Sequence, residues 1–112
     1  MTSLSVARDF SVTPGGRWRR ISECSGEEFR ERFLEPAVQS GQFVEVNLDG
    51  VVGYGSSFLE EVFGGIVRLM RWRTRDEFDS HLAVKTARQS WKAEVDQYVD
   101  EALARERAAV RH

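Results

Sequence analysis

At 112 residues the chain has the length of one compact domain, and with 41% hydrophobic and 30% charged residues, seven Phe, three Trp and two Tyr, its composition excludes a disordered segment. A formal charge of -2 supplies no overall positive field to draw it to nucleic acid or to an anionic membrane. Its single cysteine, Cys24, excludes an internal disulfide, and with only His81 and His112 beside it there is no ligand set for structural zinc.

The first residues, Met1 to Asp9, show no basic region followed by an apolar run, and nowhere is there a stretch of the roughly eighteen apolar residues that a spanning helix needs. The expectation is a cytoplasmic protein, one domain over residues 1–112, with no membrane span, cofactor or metal.

Leu4, Val6, Phe10 and Val12 recur at a spacing of two and predict a strand over residues 3–12, stopped by Pro14-Gly15-Gly16. A second short strand from Trp18 to Ile21 would complete an N-terminal hairpin. Ser25-Gly26-Glu27-Glu28 reads as a capping box, opening a helix with Phe29, Phe33, Leu34 and Val38 on its apolar face and a kink near Glu35, where Pro36 removes a donor. Phe43 to Leu48 predicts a central strand, apolar on both faces at its start. After a glycine-rich turn from Asp49 to Gly55, Phe58, Leu59, Val62, Phe63, Ile66, Leu69 and Met70 predict a helix from Ser57 to Trp72, with Ser57 as N-cap and Glu60 completing its capping box. His81 to Lys85 reads as a short strand, with a loop or helical turn before it. From Ala87 the stripe Trp91, Val95, Tyr98, Val99, Ala102 and Leu103 predicts a long amphipathic C-terminal helix whose apolar face packs on the sheet, a dimer interface being the lesser use. The element order predicts an α/β fold, a mixed four-stranded sheet with helices packed on it.

The specific information lies in Val44 to Gly65, a strand that runs through a glycine loop into a helix. Asn47-Leu48-Asp49-Gly50 followed by Gly55-Ser56-Ser57-Phe58 resembles the core of STAS domains, best known in bacterial anti-sigma factor antagonists, where a strand-end turn leads to Asp-Ser-Ser-Gly or Asp-Ser-Thr-Gly at a helix start. Ser56 to Glu61 with Phe63-Gly64-Gly65 is still more similar to the STAS-like offshoot of that family. The resemblance implies a non-catalytic regulatory domain that docks on a protein, in the antagonists a serine kinase of the histidine-kinase-like ATPase superfamily that doubles as an anti-sigma factor. It also implies phosphorylation at the position of Ser56, with Ser57 beside it as the second candidate. Two departures stand in that motif: Gly55 replaces the acid and Phe58 the second glycine. The implied docking surface comprises Asp49, Tyr54, Gly55, Ser56, Phe58, Glu60 and Glu61.

Apart from the family, a helix N-terminus presents free amides and the positive end of a dipole, so phosphate on Ser56 would be tolerated there and would add about -1.5 to -2 charges. The plainer reading makes Ser57 a cap and Ser56 a loop residue. Gly64-Gly65 inside a helix costs about 2 kcal/mol relative to alanine, so something must approach closely, either the sheet or a partner's helix. As an alternative function, the Gly53-Ser57 loop could bind a nucleotide or another anion, although the third glycine of a dinucleotide fingerprint and a Walker lysine are both missing. Asp49, Glu60 and Glu61 come without a histidine or cysteine to complete a catalytic set, which argues against an enzyme. Arg17-Trp18-Arg19-Arg20 and the cluster Arg68, Arg71, Arg73 and Arg75 could grip nucleic acid or an acidic protein, the second cluster being also what a helix C-terminus favours.

Overall fold

The computed structural model describes residues 1–109. Three short strands, β1 (Thr2–Ser5), β2 (Val44–Asn47) and β3 (Leu82–Lys85), form a sheet in the order β1-β2-β3, parallel throughout, with Thr2 opposite Val44 and Val44 opposite Leu82. The mixed, four-stranded sheet with an N-terminal hairpin is therefore corrected. The segment after β1 turns at once into a short helix, α1 (Val6–Asp9), because Ser5 accepts the Arg8 amide and Asp9 accepts the Ser5 amide, at 3.2 and 2.8 Å, which spends the groups a longer strand would pair. Residues 18–21, expected as the second hairpin strand, make a turn in which Ile21 N–H donates to Trp18 O at 3.2 Å.

The longest helix of each crossover contains a π turn. The first, α2, is α-helical over Gly26–Phe29 and Glu35–Gln39, with a π turn at Arg30–Leu34 between them. Ser25 caps it by accepting the Glu28 amide, but Glu28 pairs with Arg32. Pro36 does not divide the helix: it stands at the start of the segment after the π turn, where the local shift in bonding tolerates its missing N–H. The second, α3, runs through α-helical Ser56–Leu59, a π turn at Glu60–Gly64 and α-helical Gly65–Met70. It ends at Arg71, whose φ of 57° is left-handed, so Trp72 lies outside the helix while remaining buried. The stretch read as a loop or helical turn is α4 (Arg75–His81), opened by a full capping box between Thr74 and Glu77. The long C-terminal helix, α5 (Gln89–Ala109), forms where expected, but its apolar face packs chiefly on α3 and not on the sheet.

Val44, Val46 and Leu82 face the helices and are essentially inaccessible, whereas Glu45, Asn47 and Lys85 alternate onto the other face and remain half-buried or exposed. The central strand is thus apolar on one face only. Phe29, Leu34, Phe58, Phe63, Ile66, Val95 and Val99 complete the core between sheet and helices. Among the described residues, no helix is long and apolar enough to cross a membrane.

Candidate functional site

The end of β2 and the start of α3 form a corner. Asp49 folds back across the sheet end, accepting from the Thr86 hydroxyl at 2.6 Å and the Ala87 amide at 2.9 Å, and these bonds hold its carboxyl below the ordinary aspartate range. Tyr54 lies between Phe58 and Trp91, with ring centroids 5.5 and 4.8 Å away, and its hydroxyl donates to Leu48 O at 2.7 Å. Burial, and then the charge of Asp49, raise its pKa.

From this base the loop projects. Val52 is 79% exposed, Gly53, Gly55, Ser56 and Ser57 are exposed, and a Cβ built on Gly53 or Gly55 would meet nothing within 4 Å. Val52 N–H donates to Val12 O at 2.8 Å, which brings the half-exposed Val12 alongside. The helix starts one residue earlier than expected, with Gly55 and not Ser57 as N-cap, and no side chain caps it. The amides of Ser56, Ser57 and Phe58 precede the first intrahelical bond, from Leu59 N–H to Gly55 O, so they point out of the helix end.

The residues expected to share one docking surface divide here. Gly55 and Ser56, with Ser57, are at the surface, and Tyr54 and Asp49 are partly accessible. Phe58, 1% exposed, belongs to the core, and Glu61, 4% exposed, is buried; neither is available to a partner in this conformation, because the helix turns both inward. Glu60 forms no capping box with Ser57.

Glu60 and Glu61 instead anchor an ion network that sequence reasoning missed. Arg30 of α2 donates to Glu35 at 2.5 Å and to Glu61 at 2.8 Å. Arg17, from the loop before α2, pairs with Glu60 and with Glu61, and Arg68 binds Glu60 at 2.7 Å. Burial alone would raise the Glu60 pKa, but the guanidiniums of Arg68 and Arg17 outweigh it and hold the carboxyl below its ordinary value.

The two internal glycines make room for this network. A Cβ on Gly65 would lie 2.7 Å from Arg30 Nε, and one on Gly64 would overlap the Glu60 carboxylate. Gly64-Gly65 is therefore packed against the side chains of this network and not on the sheet. The glycine pair was the available signal, but the identity of what fills the space depends on contacts 31 and 43 residues apart in the chain.

Above the network opens a cleft of about 540 Å³ lined by Arg17, Trp18, Glu60, Arg68, Tyr98 and Arg105, with no lining residue from the Gly53-Ser57 loop. Of the basic residues considered for nucleic acid, Arg19 pairs with Glu31, and Arg75 with Asp79, Asp96 and Asp100, while Arg20, Arg71 and Arg73 are exposed. Cys24 and His81 serve unrelated local structures: the Cys24 carbonyl accepts from Gly15, and the His81 ring stacks on Trp72 with centroids 4.9 Å apart. His112 lies outside the described residues.

A parallel sheet with helices on one face, joined through an exposed serine pair at a helix start, defines an α/β domain of STAS-like type. The chain matches the family described as a STAS-like domain of unknown function (DUF4325) over residues 25–90, more than half its length, and it belongs to that family. No curated protein and no solved structure matches it.

Proposed function

We propose that this protein is a non-catalytic regulatory domain that docks on another protein through the corner at residues 49–57, with Ser56 as the residue whose phosphorylation switches the complex. The observation that carries this reading is the contrast at the corner, where two serine hydroxyls and uncapped amides stand in solvent on a base fixed by Tyr54 and Asp49. A surface that is preorganised in this way loses little freedom on binding. Dianionic phosphate on Ser56 would sit at the positive end of α3 at little cost to the fold, yet would change the charge offered to a partner.

The carboxylates that could have done acid-base chemistry are engaged elsewhere: Asp49 by Thr86 and Ala87, Glu60 by Arg17 and Arg68, Glu61 by Arg30. That supports binding over catalysis. Family resemblance favours a serine kinase of the histidine-kinase-like ATPase type as the partner, and a cytoplasmic setting. An anion-binding role for the Gly53-Ser57 loop has weaker support, because the loop projects outward and does not wrap a cavity.

The test is co-purification of the tagged chain from host lysate with ATP present, with mass spectrometry at Ser56. Ser56→Asp is expected to weaken the complex more than Ser56→Ala, with both variants folded. A complex indifferent to both substitutions would discard the serine switch, and a rise in Tm with ATP would favour the anion-binding alternative.

A further inference from the structure

The two outer strands of the sheet treat their free edges differently. In a parallel ladder, alternate residues turn both N–H and C=O toward one side. Because Thr2 N–H donates to Phe43 O at 2.9 Å, Thr2 and Leu4 face β2, and Ser3 and Ser5 face outward. Two of those outward groups are occupied: the Ser3 carbonyl accepts from the Arg8 guanidinium at 3.3 Å and the Ser5 amide donates to Asp9 at 2.8 Å. Arg8 and Asp9, paired to each other, close the β1 edge.

On β3, Lys85 O accepts from Leu48 N–H at 2.9 Å, so Ala83 and Lys85 face β2 while Leu82 and Val84 face outward. The Leu82 amide donates back to Phe78 O, and that residue is 1% exposed, so it is sealed. Val84 is partly buried, and among the described residues neither its N–H nor its C=O has a hydrogen-bond partner on that side. No proline or bulge guards this edge, and a groove of about 230 Å³, lined by Phe78, Leu82 and Val84 together with the charged Arg75, Asp79 and Lys92, runs along it.

We propose that the β3 edge is a dimerisation site whose occupant is β3 of a second copy, joined antiparallel about a two-fold axis through the Val84 pair. A two-fold pairing is self-complementary there, each Val84 N–H donating to the other's Val84 C=O, and the two Val84 side chains then lie together over the groove. The same register sets Ala83 opposite Lys85 of the other copy on the solvent face. Glu45 lies beside Ala83 in its own chain, so the incoming ammonium enters a row holding a carboxylate and a small residue. Lys85 already lies 3.7 Å from Glu45 within one chain and is 66% exposed, so it is free to serve that second carboxylate. The pairing ends at two copies, because both outer edges of the six-stranded sheet are β1 edges, where Arg8 and Asp9 occupy the Ser3 carbonyl and the Ser5 amide. This assembly does not depend on the serine corner.

Sedimentation equilibrium of the full chain over a wide concentration range tests it. A reversible monomer-dimer equilibrium is expected for the native chain. Val84→Pro, which removes the shared donor, should raise Kd by roughly tenfold or more, as loss of two backbone hydrogen bonds implies. Ala83→Arg keeps the fold, since it stands beside Glu45 in its own chain, but it sets like charges opposite Lys85 across the axis; it should also weaken the dimer, and added salt should partly restore it. Ser3→Arg at the closed edge should change nothing. A native chain that stays monomeric throughout, whether or not it captures a strand from another protein, overturns the proposal, as does a dimer insensitive to both Val84→Pro and Ala83→Arg.

Discussion

Glycine does opposite work in the two regions that meet along α3. At the crossing of α2 and α3, Gly26 and Gly65 are buried and a side chain at either would collide with a neighbour; in the corner one turn away, Gly53 and Gly55 face open space. The first pair lets two helices close on a charged network, and the second leaves the backbone uncovered. The difference separates what holds the domain together from what it presents, and it assigns the two regions different sensitivities to substitution.

The largest effect is expected at Glu61. Its carboxylate, 5% exposed, is shared by Arg30 and Arg17, and Arg30 itself is only 12% exposed. Truncation by Glu61→Ala leaves Arg30 buried with half its counter-charge. Breaking such a pair costs about 3–5 kcal/mol, and because Glu35 still holds Arg30 the lower end of that range is expected. Urea denaturation followed by circular dichroism measures it; a loss below about 1 kcal/mol would mean that the network behaves as a screened surface cluster, and the contrast between the regions would fail.

Gly26→Ala comes next. The added Cβ would lie 2.8 Å from the Phe58 carbonyl oxygen and 3.2 Å from Phe58 Cα, backbone atoms that cannot rotate away. Overpacking of this kind costs about 1–3 kcal/mol, read from the same unfolding curves. A neutral result would show that the helices can separate at the crossing without loss.

The parts legible in the sequence are those governed by local periodicity. The apolar spacing at Phe58 to Met70 and at Trp91 to Leu103 gave two helices to within a few residues, and Val44-Glu45-Val46 gave the central strand. The hairpin failed because the alternation of Leu4, Val6, Phe10 and Val12 fits a strand, while the actual chain is set by Ser5 and Asp9 hydrogen-bonding their own neighbours. That bonding redirects Phe10 into the cluster with Phe29 and Phe33, 5.5 and 5.8 Å away. At the site, the exposed serines were legible from the motif, but the inward turn of Phe58 and Glu61 was not. Their orientation is fixed by where α2 crosses α3, and that crossing rests on Gly26 and the Arg30 pair, which no local pattern reveals.

The smallest expected effect lies in the corner, and it is the one that separates folding from docking. Gly53 has no left-handed backbone angle and open space where a Cβ would project, so Gly53→Ala introduces no strain in the folded chain. It restricts the unfolded chain instead, and a gain of about 0.4–1 kcal/mol is expected. If the corner is where a partner sits, the same methyl group stands in the interface, and the complex isolated in the co-purification experiment should weaken while unfolding shifts to slightly higher urea. Movement of both quantities in one direction would mean that the corner contributes to the fold more than to recognition, and the two regions would then differ in degree only.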